Sequence, residues 1–168
     1  MFFVIKCSTL MTVKGYASET MGSYAVMCIS AGSLVAGSVY ATIYTRLKAW
    51  SLPLFYGLTA LGFLIGGLAN SFILMCVGAF LVGFGYLAFM PYIKQRVTMN
   101  YGVIGAFAST FVLIMQYLGS FAVPYYGMIL NVWTSHLTAQ FFINASGCVL
   151  LLIIACFMAF HTSTQKRQ

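Results

Sequence analysis

The chain has 168 residues, of which 62% are hydrophobic and 5% are charged, and its mean hydropathy is +0.98. A water-soluble domain carries about a quarter charged residues, so this composition excludes the soluble classes and indicates an integral membrane protein. Lysine and arginine total eight against one acidic residue. They are scattered singly or in pairs between apolar runs, which excludes nucleic acid as a partner.

The N-terminal segment, residues 1–13, is apolar apart from Lys6, Ser8 and Thr9. A bilayer core of about 30 Å requires roughly 20 residues at helical rise, so this segment is too short to cross the membrane. It is either a signal peptide with a poor apolar region and a weak cleavage site, or the end of a helix whose beginning is missing. We favour the second alternative and assign residues 1–20 to a partial helix and a loop.

Five complete helical spans are predicted after this segment. The polar pair Asn70-Ser71 breaks a long uncharged stretch, and the segment 124–136 is predicted to be a loop because it contains Pro, Asn, Trp and His. The predicted spans lie near residues 21–44, 50–69, 72–92, 101–123 and 137–160. Residues 21–160 therefore form a predicted all-α, polytopic transmembrane bundle, followed by a tail over residues 161–168.

The basic residues predict the orientation of this bundle. If successive spans alternate in direction, six cations fall on one face, and the positive-inside rule places that face in the cytoplasm. They are Arg46, Lys48, Lys94, Arg96, Lys166 and Arg167. We expect a multi-pass protein of the plasma membrane with a cytoplasmic C-terminus.

The sequence offers little for catalysis. Glu19 is its only carboxylate side chain and lies at a membrane boundary, while His136 is in the predicted loop and His161 ends the last span. The cysteines contain no C-x-x-C pair and are predicted to pack as small hydrophobic residues. We therefore expect no enzymatic activity, no metal site and no cofactor.

Glycines at helical spacing are predicted to be helix-packing residues. Gly62 and Gly66 form a GxxxG motif, and Gly83 follows Ala79 at the same spacing. Small residues let helix backbones approach closely in lipid. Gly119 is assigned the same role. Whether these faces are static contacts or sliding surfaces is left open.

Gln116 and Asn144 are amides within the predicted spans. An amide in hydrocarbon requires a partner on another helix or a polar cavity. For Gln116 both alternatives, a cavity position and an interhelical hydrogen bond, remain open.

The order of these features resembles the C-terminal half of a major facilitator superfamily transporter. The resemblance is carried by a Gly-rich span ending in Arg46-Leu47-Lys48, a Gly-rich helix ending at Met90-Pro91, and a Leu-Gly-x-x-x-x-Pro-x-x-Gly pattern from Leu118 to Gly127. On this alignment the five spans correspond to helices eight to twelve, and residues 1–13 to the end of helix seven.

The resemblance implies roles for individual residues. Gly37, Arg46 and Lys48 would belong to the cytoplasmic gate loop between helices eight and nine, although the acidic residue expected before the arginine is Thr45 here. Helices ten and eleven border the substrate cavity of the family. The implied cavity residues are Tyr86, Met90, Gln116 and Tyr117.

The function implied is secondary active transport of a small molecule by a half or fragment of such a transporter. The wealth of Phe, Tyr and Met, and the lack of buried charge, favour efflux of apolar or amphipathic compounds. The expected partners are the lipid bilayer, an unidentified small-molecule substrate, and a missing N-terminal half or another transporter half. The alternative is a small polytopic membrane protein that acts as an assembly or interaction subunit. Substrate, coupling ion, direction of transport and oligomeric state are not readable from the sequence.

Overall fold

The computed structural model describes residues 2–15, 19–101, 104–134 and 136–165. Over these residues the chain contains α-helices and one short 3-10 helix, and no β-strand. The helices are α1 (Phe2–Val13), α2 (Glu19–Leu47), α3 (Ser51–Leu68), α4 (Phe72–Tyr101), α5 (Gly105–Trp133) and α6 (Leu137–Gln165), with the 3-10 helix at Lys48–Trp50. The prediction of an all-helical chain with several long apolar helices is confirmed. Lys166 and Arg167 of the predicted tail lie outside the described residues.

Four helical segments in the described part of the chain are long and apolar enough to cross a bilayer. They are Thr20–Leu68, Phe72–Met99, Gly105–Trp133 and Leu137–His161. The first, of 49 residues, joins α2, the 3-10 helix and α3, whereas α1 is apolar but shorter. These helices indicate a membrane protein, and the division into five spans stays a prediction.

Contacts with α4 give the directions of α2 and α3. Along α2, a Cβ built at Gly32 would meet the Phe80 backbone, and further on Tyr40 donates a 3.0 Å hydrogen bond to Gln95 Oε1, so α2 and α4 run parallel. Along α3 the order is reversed, because Gly66 lies against Gly78 and Phe55 against Gly85. The chain therefore turns back between α2 and α3, and it does so at Lys48, whose φ of 46° is in the left-handed region.

Glycines permit the close packing of α4 against α2 and α3. A Cβ added at Gly62 would lie 2.8 Å from both the Gly78 carbonyl oxygen and the Val82 amide nitrogen. One added at Gly83 would collide with the Ile29 carbonyl of α2. Backbones this close leave no room for a side chain, and in lipid such approaches are a main source of helix association.

The short helix α1 contributes to the core of the bundle. Its buried residues include Phe3, which meets Phe63 of α3 and Phe141 of α6 edge-on, with ring centroids 5.4 and 5.3 Å away. The Phe3 ring also occupies the space beside Gly66, at 2.7 Å from the position of an added Cβ. Aromatic edge-to-face packing therefore joins three helices at this level.

Lys14 ties the end of α1 to the end of α3. Its Nζ atom donates to the backbone oxygens of Gly67 and Ala69 at 3.1 and 2.8 Å, and to Asn70 Oδ1 at 3.3 Å. The last carbonyls of a helix have no intrahelical donors, and a cation placed there also complements the helix dipole. Partial burial lowers the pKa of Lys14 below its ordinary value.

The helix limits correct two features of the sequence analysis. The predicted loop over residues 124–136 is wrong, because α5 continues through Pro124 and ends at Trp133. The expected helix end at Met90-Pro91 is also wrong, because Pro91 lies inside α4, and Lys94 and Arg96 are therefore helical. Proline is tolerated inside helices of membrane proteins because neighbouring groups satisfy the carbonyl that it leaves without a donor.

Candidate functional site

A central cavity of about 540 Å³ lies between α5 and the other helices of the bundle. It exists because α5 packs mainly against α4 and the short α1, and so leaves space beside α3 and α6. None of the described residues that line it is charged, and its walls are mostly aromatic and aliphatic. Its polar lining residues are Tyr56, Thr59, Tyr86, Gln116, Ser120, Tyr126 and Asn144.

Tyr86 and Met90 line the cavity from α4, together with Phe89. They are placed there by the close approach of α4 to α3. A Cβ at Gly85 would collide with Thr59 Oγ1 and lie 2.5 Å from the Phe55 oxygen. The Thr59 hydroxyl already donates to that oxygen at 2.9 Å, so it is satisfied within its own helix.

One face of α5 forms the opposite wall. It carries Met115, Gln116, Gly119, Ser120, Val123 and Tyr126, which recur at helical spacing. The adjacent residue Tyr117 is rotated by about 100° from Gln116 and lies 70% exposed on the outer face of the helix. The structure therefore brings Tyr86, Met90 and Gln116 to one cavity and leaves Tyr117 outside its lining.

Gly119 lies at no helix contact among the described residues, and its predicted packing role stays a prediction. No atom of a described residue outside its own helix turn lies within 4 Å of an added Cβ, because Gly119 faces the open cavity. Gly62, Gly66 and Gly83, by contrast, lie at close helix contacts. Sequence spacing alone does not separate a glycine that admits a neighbour from one that widens a cavity.

The polar groups of the cavity retain hydrogen-bonding capacity. The Gln116 amide and the Tyr86 hydroxyl make no hydrogen bond to any described residue. Asn144 donates through Nδ2 to the Gln140 carbonyl of its own helix at 2.8 Å, which leaves its Oδ1 as an acceptor. Uncharged hydrogen-bond donors and acceptors within an apolar wall suit a neutral or amphipathic ligand.

The residues assigned to the gate loop are spread along the chain. Gly37 lies within α2, where an added Cβ would meet nothing within 4 Å. Arg46 is in the last turn of α2, and Lys48 begins the 3-10 helix. Gly37 is therefore helical, whereas Arg46 and Lys48 lie at the chain reversal, and the gate-loop role of all three stays a prediction.

Aromatic residues hold together the end of the bundle that carries Arg46, Lys48, Lys94 and Arg96, here named the basic end. Tyr40 stacks on Tyr44 at 5.9 Å, and Tyr44 meets the Tyr92 ring edge-on at 6.0 Å. The sequence analysis missed this cluster. The four-residue spacing of Tyr40 and Tyr44, which places both on one helix face, was the available signal.

A polar network at the opposite end was also missed. Asn131 Oδ1 accepts hydrogen bonds from Lys6 Nζ at 3.2 Å and from Gln140 Nε2 at 2.7 Å. Gln140 also donates to the Thr134 carbonyl at 2.9 Å, which fixes the short connection between α5 and α6. The buried Gln140 Oε1 has no donor among the described residues. Lys6 thus bonds to α5 from within α1.

Within the described ranges, no group of three or more His, Cys, Asp or Glu side chains is arranged to hold a metal ion. His136 lies between α5 and α6, and His161 lies in the last part of α6. Comparison with known proteins found no protein-family model, no curated protein and no solved structure that matches this chain.

Proposed function

We propose that the chain is one half of a secondary transporter of the major facilitator type, which moves a small neutral or amphipathic molecule across the plasma membrane, with efflux favoured. The observation that carries the proposal is the central cavity of about 540 Å³. Its described lining is uncharged, and Tyr86 and Gln116 contribute polar groups that make no hydrogen bond to a described residue. A cavity of this size and chemistry is typical of small-molecule sites.

The directions of the helices support five crossings in this proposal. Because α2 and α3 run in opposite directions beside α4, the 49-residue helical segment is long enough to cross the bilayer twice. This arrangement brings Arg46, Lys48, Lys94 and Arg96 to one end, which the positive-inside rule assigns to the cytoplasm. The C-terminus of α6 lies at the same end.

The exposed helices support a second transporter half as the partner. Along α5 the described residues include only three buried ones, Gly105, Gly127 and Leu130, and its outer face carries large apolar side chains such as Phe121. Transporters of this type form the substrate path between two halves that rock about a central site. In the proposed function α5 closes or opens the cavity as the second half moves.

The same exposed face of α5 favours a second candidate function, that of an assembly subunit whose apolar helices dock onto another membrane protein. The two candidates differ in the role of the central cavity. A docking subunit uses the outer face of α5, whereas a transporter also uses the inner face that carries Gln116.

The test is efflux of a fluorescent amphipathic dye from cells that co-express the chain with an N-terminal half of a major facilitator transporter. We expect Gln116→Ala and Tyr86→Ala to change the range of dyes exported while protein abundance in the membrane stays near that of the unmodified chain. The matched control is Phe157→Ala, an exposed aromatic residue of α6 away from the cavity. Dye export that is equal for all three variants would favour the docking subunit.

A second measurement addresses the need for a partner half. Proteoliposomes that contain only the 168-residue chain are expected to show no saturable, gradient-driven transport, because the substrate path of the family requires two halves. Saturable transport in this preparation would refute the half-transporter proposal. It would indicate a homo-oligomer with a complete path.

A further inference from the structure

A second concave site, here named the Arg96 groove, lies at the basic end between α3, α4 and α6. Its volume is about 440 Å³. Tyr56 and Phe89, whose ring centroids are 5.1 Å apart, line both this groove and the central cavity and stand between them. The groove is therefore a separate site with its own opening.

The walls of the groove are mostly apolar and are formed largely by α4 and α6. Ala155 and Ala159, one helical turn apart on α6, are almost completely buried, and their small side chains leave the space that the groove occupies. Met158 at its rim is 58% exposed, so the groove is open at its rim. From Phe89 to Val97 it follows α4 for about 12 Å at helical rise.

One cation, Arg96, contributes to this apolar lining among the described residues. Its Nε atom donates to Tyr92 Oη at 3.4 Å, and its guanidinium carbon lies 5.9 Å from the centre of the Tyr92 ring. Tyr92 is buried, so it holds the guanidinium at a fixed position on the groove wall. The Nη atoms make no hydrogen bond to a described residue and can donate to a planar, bidentate acceptor such as a phosphate.

Acidic residues are nearly absent from the sequence, and none is close to Arg96 along the chain. The chain contains a single acidic residue, Glu19, and this residue begins α2 at the end of the bundle opposite to Arg96. A cation in an apolar wall near the end of a membrane helix requires a counter-charge or water. In a bilayer, the abundant anion that also carries a long apolar chain is an acidic phospholipid.

We propose that the Arg96 groove binds an anionic phospholipid of the adjacent leaflet. The phosphate accepts hydrogen bonds from the Arg96 guanidinium, and one acyl chain lies along α4 over Ala155 and Ala159. The bound lipid fills the space between α3, α4 and α6 and stabilises their packing. This site is independent of transport, and it does not require the proposed function to be correct.

The experiment measures thermal unfolding of the purified full chain in a neutral detergent, with phosphatidylglycerol or phosphatidylcholine added at equal concentrations. Native mass spectrometry counts the lipids retained. We expect phosphatidylglycerol to stabilise the unmodified chain more than phosphatidylcholine does. Arg96→Gln should weaken the apparent affinity for phosphatidylglycerol by about five- to tenfold, the effect of one basic contact to a lipid phosphate.

The matched control is Lys94→Gln, which makes the same change in net charge two residues away on α4, at a side chain outside the groove. The Lys94→Gln variant should bind phosphatidylglycerol with an affinity within about twofold of that of the unmodified chain, since Lys94 contributes long-range attraction alone. Ala159→Leu fills the groove without changing charge and should also reduce lipid retention. Because retained lipids are counted on folded protein, a loss of stability in either variant does not obscure the result.

Three results would overturn the proposal. Equal stabilisation by phosphatidylcholine and phosphatidylglycerol would show that the groove does not select charge. Equal loss of affinity in Arg96→Gln and Lys94→Gln would show that the basic end attracts anionic lipid through its total positive charge and not through a specific site. Protection by glycerol 3-phosphate equal to that by phosphatidylglycerol would identify a site for a soluble phosphate compound instead of a lipid.

Discussion

At the scale of single residues, helical phase decides which side chains share a site. Gln116 and Tyr117 are adjacent in sequence, yet one lines the central cavity and the other faces outward. The unusual amide in an apolar run identified Gln116, since such a group needs a cavity or a partner. The rotation of α5 about its axis could not be predicted, because both of its faces carry aromatic and small residues.

The glycines provide a prediction at this scale. Gly62→Ala should destabilise the protein by about 1–3 kcal/mol, because the new methyl group would lie 2.8 Å from backbone atoms of α4, and backbone yields less readily than side chains. Gly119→Ala, where an added Cβ meets open space, is the matched control and should leave stability unchanged or slightly higher. Thermal or denaturant unfolding in detergent measures both. Equal effects of the two substitutions would contradict the helix contact at Gly62.

At the scale of helices, the presence of each helix is easier to predict than the residues at which it begins and ends. The break at Asn70-Ser71 coincides with the gap between α3 and α4, where the Leu74 amide donates to Ser71 Oγ at 3.4 Å and so begins α4 with a capping hydroxyl. Pro124 was misread because a proline usually ends a helix in water. Inside a membrane bundle the helical backbone has no better alternative, so α5 continues to Trp133.

A prediction at this scale concerns the attachment of α1. Lys14→Met keeps a long side chain but removes the donors to Gly67, Ala69 and Asn70. The expected cost is about 1 kcal/mol, since Lys14 is only partly buried and water replaces some of the lost interaction. Lys94→Met, which removes a charge from α4 at the basic end, is the control. If both variants unfold at the same temperature, Lys14 does not hold α1 to α3.

At the scale of the whole molecule, composition and charge predicted the class of structure but not its packing. Low charge content and apolar runs indicated a helical membrane protein, because the backbone must satisfy its own hydrogen bonds in lipid. The tertiary contacts of Lys6 with Asn131, and of Tyr40 with Gln95, join residues more than fifty positions apart in the chain. No local sequence pattern predicts such long-range pairs, so the polar networks at both ends of the bundle were not predicted.

The last prediction concerns the orientation of the molecule in the membrane. It depends on the position of the basic end and on the opposite directions of α2 and α3. Lys48 lies at the chain reversal and Asn70 at the opposite end of α3, about 33 Å away at helical rise, so the two side chains belong to opposite sides of a bilayer. On a background without cysteine, Lys48→Cys should react with a membrane-impermeant maleimide only after permeabilisation, because the positive-inside rule places the basic end in the cytoplasm. Asn70→Cys should react in intact cells and serves as the matched position. Reaction of both in intact cells would contradict the double crossing by α2 and α3, and the reverse pattern of labelling would place the basic end outside.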